Sequence, residues 1–279
     1  MRAIASRQNP VVGLFRELAN QPDPHGTRLL LDGAHLVRDA ADASFAFDVV
    51  CVASSHLDRG TEEGALAVDL EKRGADVVVM PDTLFAVISP VRTPSGIAAI
   101  ARRHGAQPGL DDIFRSQAAL VLAGIDVQEP GNVGALLRVT EAAGACGVLL
   151  SGQSANPFSW KALRGSMGSG LRLPVVHESS PGDLLEMMRT RAVRTVAAVA
   201  RGGLSPDRVN WSGSLAILVG GEGPGLGESI VARCDERVTI PMAPAVESLN
   251  VTVAAAILLY EARRQRAVWD GACEPRQET

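Results

Sequence analysis

Short aliphatic runs alternating with amphipathic stretches constrain this chain most. Residues 118–124 form an unbroken apolar run, and the loop Asp126-Val-Gln-Glu-Pro-Gly131 follows it. Residues 132–143 repeat at helical spacing, with Val133, Leu136, Leu137 and Thr140 on one face and Gly144 as the stop. A second apolar run spans residues 147–150. Strand, helix and strand in that order predict two parallel strands joined by a right-handed crossover. Further strands are expected at residues 173–176, 195–200, 215–219 and 237–240. A long helix is expected over about 249–268, with Gly271 just past its end.

The first hundred residues carry their own alternation. Helical spacing covers residues 11–19, 34–43 and 62–73, and strands are expected at 28–31, 47–52, 76–80 and 97–101. The stretch His104-Gly-Ala-Gln-Pro-Gly109 has linker composition. The expected organisation is a small α/β domain over residues 1–105, a linker over 106–114, a larger α/β domain over 115–270 and a tail over 271–279. With 279 residues, 46% of them hydrophobic, the chain can bury two cores. Aromatics at 4% make those cores aliphatic. No apolar run reaches the ~18 residues that cross a bilayer. The first residues lack the apolar stretch of a signal peptide, so a cytoplasmic location is expected.

A net charge of −4 argues against nucleic-acid binding by bulk charge alone. Lys72 and Lys161 are the only lysines, so nearly every cation is an arginine, the better phosphate fork and base-stacking group. The four cysteines form no Cys-x-x-Cys pair, and no histidine stands at zinc-ligand spacing. Neither a metal nor a disulfide is therefore expected. His25, His35, His56, His104 and His177 show no partner pattern for a triad and read as structural.

Three stretches carry candidate chemistry. Gly220-Gly-Glu-Gly-Pro-Gly-Leu-Gly227 ends a strand-like run but lacks the Gly-Lys-Ser/Thr of a phosphate-binding P-loop. It also comes too late in its domain for a dinucleotide fingerprint, and Pro224 interrupts the spacing. Asn132 stands where a helix cap is wanted, with Arg138 nearly two turns on. Ser248 and Asn250 open the last helix. Taken singly, a tight turn, two helix caps and a solvated arginine account for them.

In order, the three stretches resemble the SpoU (TrmH-type) family of RNA ribose 2′-O-methyltransferases, within the SPOUT superfamily. The matching residues are Asn132-Val-Gly-Ala-Leu-Leu-Arg138, Gly220-Gly-Glu-Gly-Pro-Gly225 and Ile240-Pro-Met through Ser248-Leu-Asn-Val251. Arg164-Gly-Ser-Met-Gly-Ser-Gly-Leu-Arg-Leu-Pro-Val175 is similar to the family's connecting region, and the resemblance covers about 115–268. In the first domain, Ser6-Arg-Gln-Asn-Pro-Val11, Arg28-Leu-Leu-Leu-Asp-Gly33 and Thr93-Pro-Ser-Gly-Ile97 resemble the substrate domain that often precedes this catalytic one.

The resemblance implies a parallel-sheet α/β domain with a trefoil knot, after a small ribosomal-protein-like α/β domain that binds RNA. It implies S-adenosylmethionine as methyl donor, held mostly by backbone at Gly220, Ile240 and Leu249. It implies Arg138 at the reacting 2′-hydroxyl, with Asn132, Ser248 and Asn250 positioning it and Glu222 shaping the glycine loop. It also implies a homodimer with the last helix and the first-motif helix near the interface. Val251, Ala254, Ala255, Leu258 and Leu259 then form a face that is part core and part interface. Arg7, Arg28, Arg164 and Arg172 are candidate RNA contacts.

Ribosomal RNA is the favoured substrate. Transfer RNA, and a non-catalytic RNA-binding dimer for ribosome assembly, are the alternatives. A methyltransferase of the common Rossmann type would carry its glycine motif near the start of the domain, whereas here it comes near the end.

Overall fold

The structure, a computed structural model, describes residues 1–58, 60–103, 108–178, 180–223 and 225–266. The end of the expected last helix at residues 267–268, Gly271, the expected tail and the first two residues of the expected linker, 106 and 107, lie outside them. The chain divides into two compact units, residues 1–107 with 156–172, and residues 108–155 with 173–279. No helix of the described residues is long and apolar enough to cross a membrane.

The first unit begins with β1 (Arg2–Ala3), α1 (Pro10–Asn20), β2 (Arg28–Asp32), α2 (Ala34–Asp42) and β3 (Ala46–Ala53). It continues with α3 (Glu62–Lys72), β4 (Val77–Met80), α4 (Asp82–Ile88) and β5 (Ile97–Arg102). The sheet order is β1-β4-β3-β5-β2, with β4 parallel to both its neighbours and β5 antiparallel to both of its own. Alternation along each strand sets the faces. Leu30, Cys51, Val78 and Ile100 join Val12 and Phe15 of α1 and Phe85 and Ile88 of α4 in one core. α2 and α3 pack against the sheet without contributing to that core.

The second unit opens with α5 (Leu110–Ile113), β6 (Leu120–Ile125), α6 (Pro130–Ala142) and β7 (Gly147–Ser151). The chain then supplies α7 (Trp160–Ser166) and α8 (Ser169–Arg172) to the first unit. There Asn156 Nδ2 donates to the carbonyl of Asp23 at 3.2 Å, and Trp160 packs on the α1–α4 core. The second unit resumes with β8 (Val175–Glu178), α9 (Pro181–Thr190), β9 (Arg194–Ala198) and β10 (Leu215–Gly220). It ends with α10 (Glu228–Val231), β11 (Glu236–Val238) and α11 (Val251–Arg266).

All six strands of the second sheet are parallel, in the order β11-β9-β10-β6-β7-β8. Every residue of β6 and of β7 is buried, as expected for strands covered on both faces. Leu184, Leu185 and Met188 of α9 cover one face with Ile113. α6 and α11 lie side by side on the sheet, and Val133, Leu136, Leu137 and Thr140 are all fully buried, as their spacing implied. α6 ends where Gly144 was expected to stop it. Gly144 takes φ +71 and the amide of Ala145 bonds back to the Thr140 carbonyl at 3.0 Å.

One expectation is corrected. Cys51 and Cys234 are free thiols, but Cys146 is disulfide-bonded. Disulfide pairing depends on approach in space, which cysteine spacing along the chain does not reveal. On α11, Val251, Ala255, Leu258 and Leu259 are buried and Ala254 is half-buried, while Val253, Ile257 and Tyr260 are exposed. The buried side chains pack over β10 and α6.

Candidate active site

The parallel strands of the second unit all end on one edge. From β6 the chain builds outward to β7 and β8, then returns to place β10 against the other side of β6. The order of the strands therefore switches between β6 and β10. In open α/β sheets the crevice outside the carboxyl ends of two such strands is where ligands bind.

The backbone at this switch point is closely fitted. Asp126 ends β6 in the left-handed region, at φ +55. Its Oδ1 accepts from the Gln153 amide at 2.7 Å, tying the β6 turn to the one after β7. The Gly221 amide donates to the Ile125 carbonyl at 2.8 Å, and a Cβ on Gly221 would lie 1.7 Å from the Asp126 carbonyl oxygen. A Cβ on Gly220 would likewise overlap Gly225. The glycines are there because backbone meets backbone.

α6 starts two residues earlier than its spacing suggested. Pro130 takes the first helical position, and Glu129 caps the helix by accepting from the Gly131 amide. Asn132 is therefore not the cap but sits in the first turn, and its side chain is free for a longer reach. Its Nδ2 donates to Oε1 of Glu222 in the glycine loop. Its Oδ1 accepts from Nδ2 of Asn250 at 3.3 Å. Asn250 caps α11, with Oδ1 accepting from the amides of Thr252 at 2.9 Å and Val253 at 3.4 Å. One asparagine thus ties together α6, the glycine loop and the start of α11. Burial alone would raise the Glu222 carboxyl. Hydrogen bonds from Asn132 and from the amides of Glu222 and Gln128 outweigh it, and the group stays below the usual carboxylate range.

Gly220, Ile240 and Leu249 are each half-buried on the segments that border this edge. The amides of Ile240, Met242 and Leu249 donate to no protein group among the described residues. Unpaired amides offer donors to a ligand's acceptor atoms, and the small or aliphatic side chains and glycine wall leave the main chain open to it.

Arg138 and Ser248 stand apart from this cluster. Both are exposed, and neither makes a hydrogen bond or ion pair among the described residues. Six helical positions turn Arg138 about 120° from Asn132 and move it roughly 9 Å along α6. It shares its face with Gly131, Ala135 and Ala142. Of the candidate RNA contacts, Arg28 pairs with Asp48 at 2.8 Å and Arg172 with Asp39 at 3.4 Å. Arg7 and Arg164 are exposed and carry no such bond among the described residues. Sequence reasoning missed Asp126 and Gly221 as parts of the site. Their signal was an aspartate closing an apolar run and a doubled glycine closing another.

No group of three His, Cys, Asp or Glu that could hold a metal occurs among the described residues. Residues 119–260 match the model of the SpoU rRNA methylase family. Over 268 residues, 95% of this chain and 94% of the other, the chain is 31% identical to an uncharacterised tRNA/rRNA methyltransferase of Synechocystis. It is 30% identical to the 23S rRNA (guanosine(2553)-2′-O)-methyltransferase RlmP of Bacillus subtilis, covering 94% of this chain and 100% of that one. The crystal structure of an AdoMet-bound rRNA methyltransferase from Sinorhizobium meliloti superposes with a TM-score of 0.79 at 26% identity, over 94% of this chain and 97% of that one.

Proposed function

The chain belongs to the SpoU rRNA methylase family, and from that premise we propose that it transfers a methyl group from S-adenosylmethionine to a ribose 2′-hydroxyl of RNA, ribosomal RNA in the first instance. The observation that carries this reading is the bridge from Asn132 to Glu222 and Asn250 at the switch point of the second sheet. It joins the segments that a main-chain donor site needs, and the unpaired amides of Ile240, Met242 and Leu249 fit such a ligand. Gly220, Ile240 and Leu249 would hold S-adenosylmethionine, which when bound supplies a methyl group on a sulfonium leaving group.

The protein's own part is alignment first and charge stabilisation second. Fixing hydroxyl and methyl carbon in line is worth up to ~7–11 kcal/mol. Asn132, Asn250 and Ser248 orient the ribose, and Glu222 keeps the glycine loop in place. Arg138 offers a planar fork of N–H donors that matches the geometry of phosphate and other oxyanions. It therefore holds the developing alkoxide and the adjoining phosphate while the proton leaves to phosphate or water.

The same reading extends to the fold and the partners. The chain after β11 is threaded to form the family's trefoil knot. In support, residues 239–250 lead from an edge strand past the ends of β9 and β10 to Asn132. The first unit is the RNA substrate domain, with Arg7 and Arg164 as its contacts. The protein is a cytoplasmic homodimer.

Methyl transfer from labelled donor to ribosomal RNA of cells lacking the gene tests the reaction, and mapping of 2′-O-methyl groups locates the nucleotide. Arg138→Ala is expected to lower turnover by about a hundredfold or more while leaving donor binding unchanged. Full activity in that variant removes Arg138 from the mechanism. No transfer by the native protein to any ribosomal or transfer RNA sinks the reading.

A further inference from the structure

The first unit contains a cavity of about 520 Å³ far along the chain from the motifs above. Ala53, Phe85, Ala86 and Pro94 give it apolar walls, and Ser55, His56 and Asp82 give it a polar rim. The geometry points to a pocket for one unstacked RNA base bearing an exocyclic amino group, an inference that rests on the RNA reading above.

The pocket is built rather than incidental. The His56 ring lies against Gly96, which takes φ +81 and has no room for a Cβ. Ser55 Oγ is 2.9 Å from His56 Nδ1 and donates to Asp82 Oδ1 at 2.8 Å. The imidazole is thereby fixed in place. The wall formed by Pro94 and Gly96 is anchored in turn, because Ser95 Oγ donates to the buried Asp32 at 3.1 Å. Asp82 Oδ2 and His56 Nε2 make no hydrogen bond among the described residues.

The chemistry selects the ligand. A carboxylate at the rim repels phosphate and accepts hydrogen bonds, so the group entering carries donors and no negative charge. Apolar walls and a fixed imidazole suit a flat ring. Sequence-reading of RNA works by splaying a base out, stacking it on side chains that include histidine and bonding its edge. An acidic side chain pairs with an exocyclic amino group such as that of cytosine. The flanking phosphate would stay outside, where Arg92 is exposed, two residues before Pro94, and makes no ion pair or hydrogen bond among the described residues.

The test uses the full chain, filter binding and methyl transfer on unmodified large-subunit rRNA transcribed in vitro. Ala86→Trp fills the cavity from an exposed helical position. Asp82→Asn keeps the acceptor for Ser55 but puts a donor where the base needs an acceptor. Each is expected to weaken rRNA binding and raise its KM about tenfold, with kcat within about twofold and donor binding unchanged. Ala65→Trp, on exposed α3, is expected to behave as wild type. Short-wave ultraviolet crosslinks are expected on residues 53–56 or 82–86. Wild-type rRNA binding by both variants, rRNA binding absent from the native protein, or crosslinks only outside residues 53–96 would overturn the pocket. Methyl transfer that persists in that case leaves the proposed function standing. If the native protein binds rRNA without methylating it, the function falls and the binding series still decides the pocket.

Discussion

At the scale of single residues, the site depends on a neutral side chain bridging two partners. Asn132 donates to Glu222 and accepts from Asn250, so each amide group of the chain is used once and in the correct sense. The Glu222 carboxylate is held below its ordinary range although burial alone would raise it. An acid whose folded pKa is depressed adds stability above its unfolded pKa, about 4.3 for glutamate, and loses it as pH falls through the folded value. Glu222→Gln should therefore melt below wild type at neutral pH. The gap should close as the buffer is taken below about pH 4, as followed by differential scanning fluorimetry. A gap that stays constant with pH would mean that charge at Glu222 plays no part. Asn132, Glu222 and Asn250 were legible in the sequence because motif order marks them. Asp126 was not, because its role comes from a positive φ and from the approach of Gly221, neither of which a sequence displays.

At the scale of elements, the strands were legible where they are aliphatic runs bounded by turn residues, whereas β1, only Arg2 and Ala3, is no such run and was not expected. The helices were legible where they are long. α4 spans only seven residues, too few for helical period to stand out from an apolar run. α9 carried a Ser180 cap and a Leu184, Leu185, Met188 face, but its opening Ser-Pro-Gly reads equally as a turn. The start of α6 was displaced because Asn132 outranks glutamate as a cap on propensity, while Pro130 fixes the first turn two residues earlier. What ties the elements together at the site is the seat of the β10 loop on the β6 turn. Gly221→Ala forces that seat apart, at a cost of about 1–3 kcal/mol. Calorimetric titration with S-adenosylmethionine is expected to show affinity reduced about tenfold or more, with a lower melting temperature. Unchanged donor affinity would separate this loop from the donor site.

At the scale of the whole molecule, Arg138 stands on a face that α6 turns away from the Asn132 cluster. α6 and α11 run side by side in the same direction, since Asn132 meets Asn250 at one end and Tyr260 and Arg263 reach the Ala142 carbonyl at the other. Their outer faces therefore form one surface, with Arg138 on one helix and Val253, Ile257 and Tyr260 on the other. These three apolar side chains, at i, i+4 and i+7, are 40–48% exposed. A stripe of that kind beside an unpaired arginine suits a second copy of the chain, and it follows the face left over once Ala255, Leu258 and Leu259 have entered the core. The double variant Val253→Asp with Ile257→Asp puts charges on the stripe without touching the core, so monomer stability should change by less than about 1 kcal/mol. Light scattering on a sizing column is expected to give a dimer for the native chain and a monomer for the variant. Methyl transfer should fall with the dimer, because Arg138 then stands in open solvent. A native monomer with full activity would refute the dimer. A monomeric variant that keeps full activity would show that Arg138 reaches the ribose from its own chain.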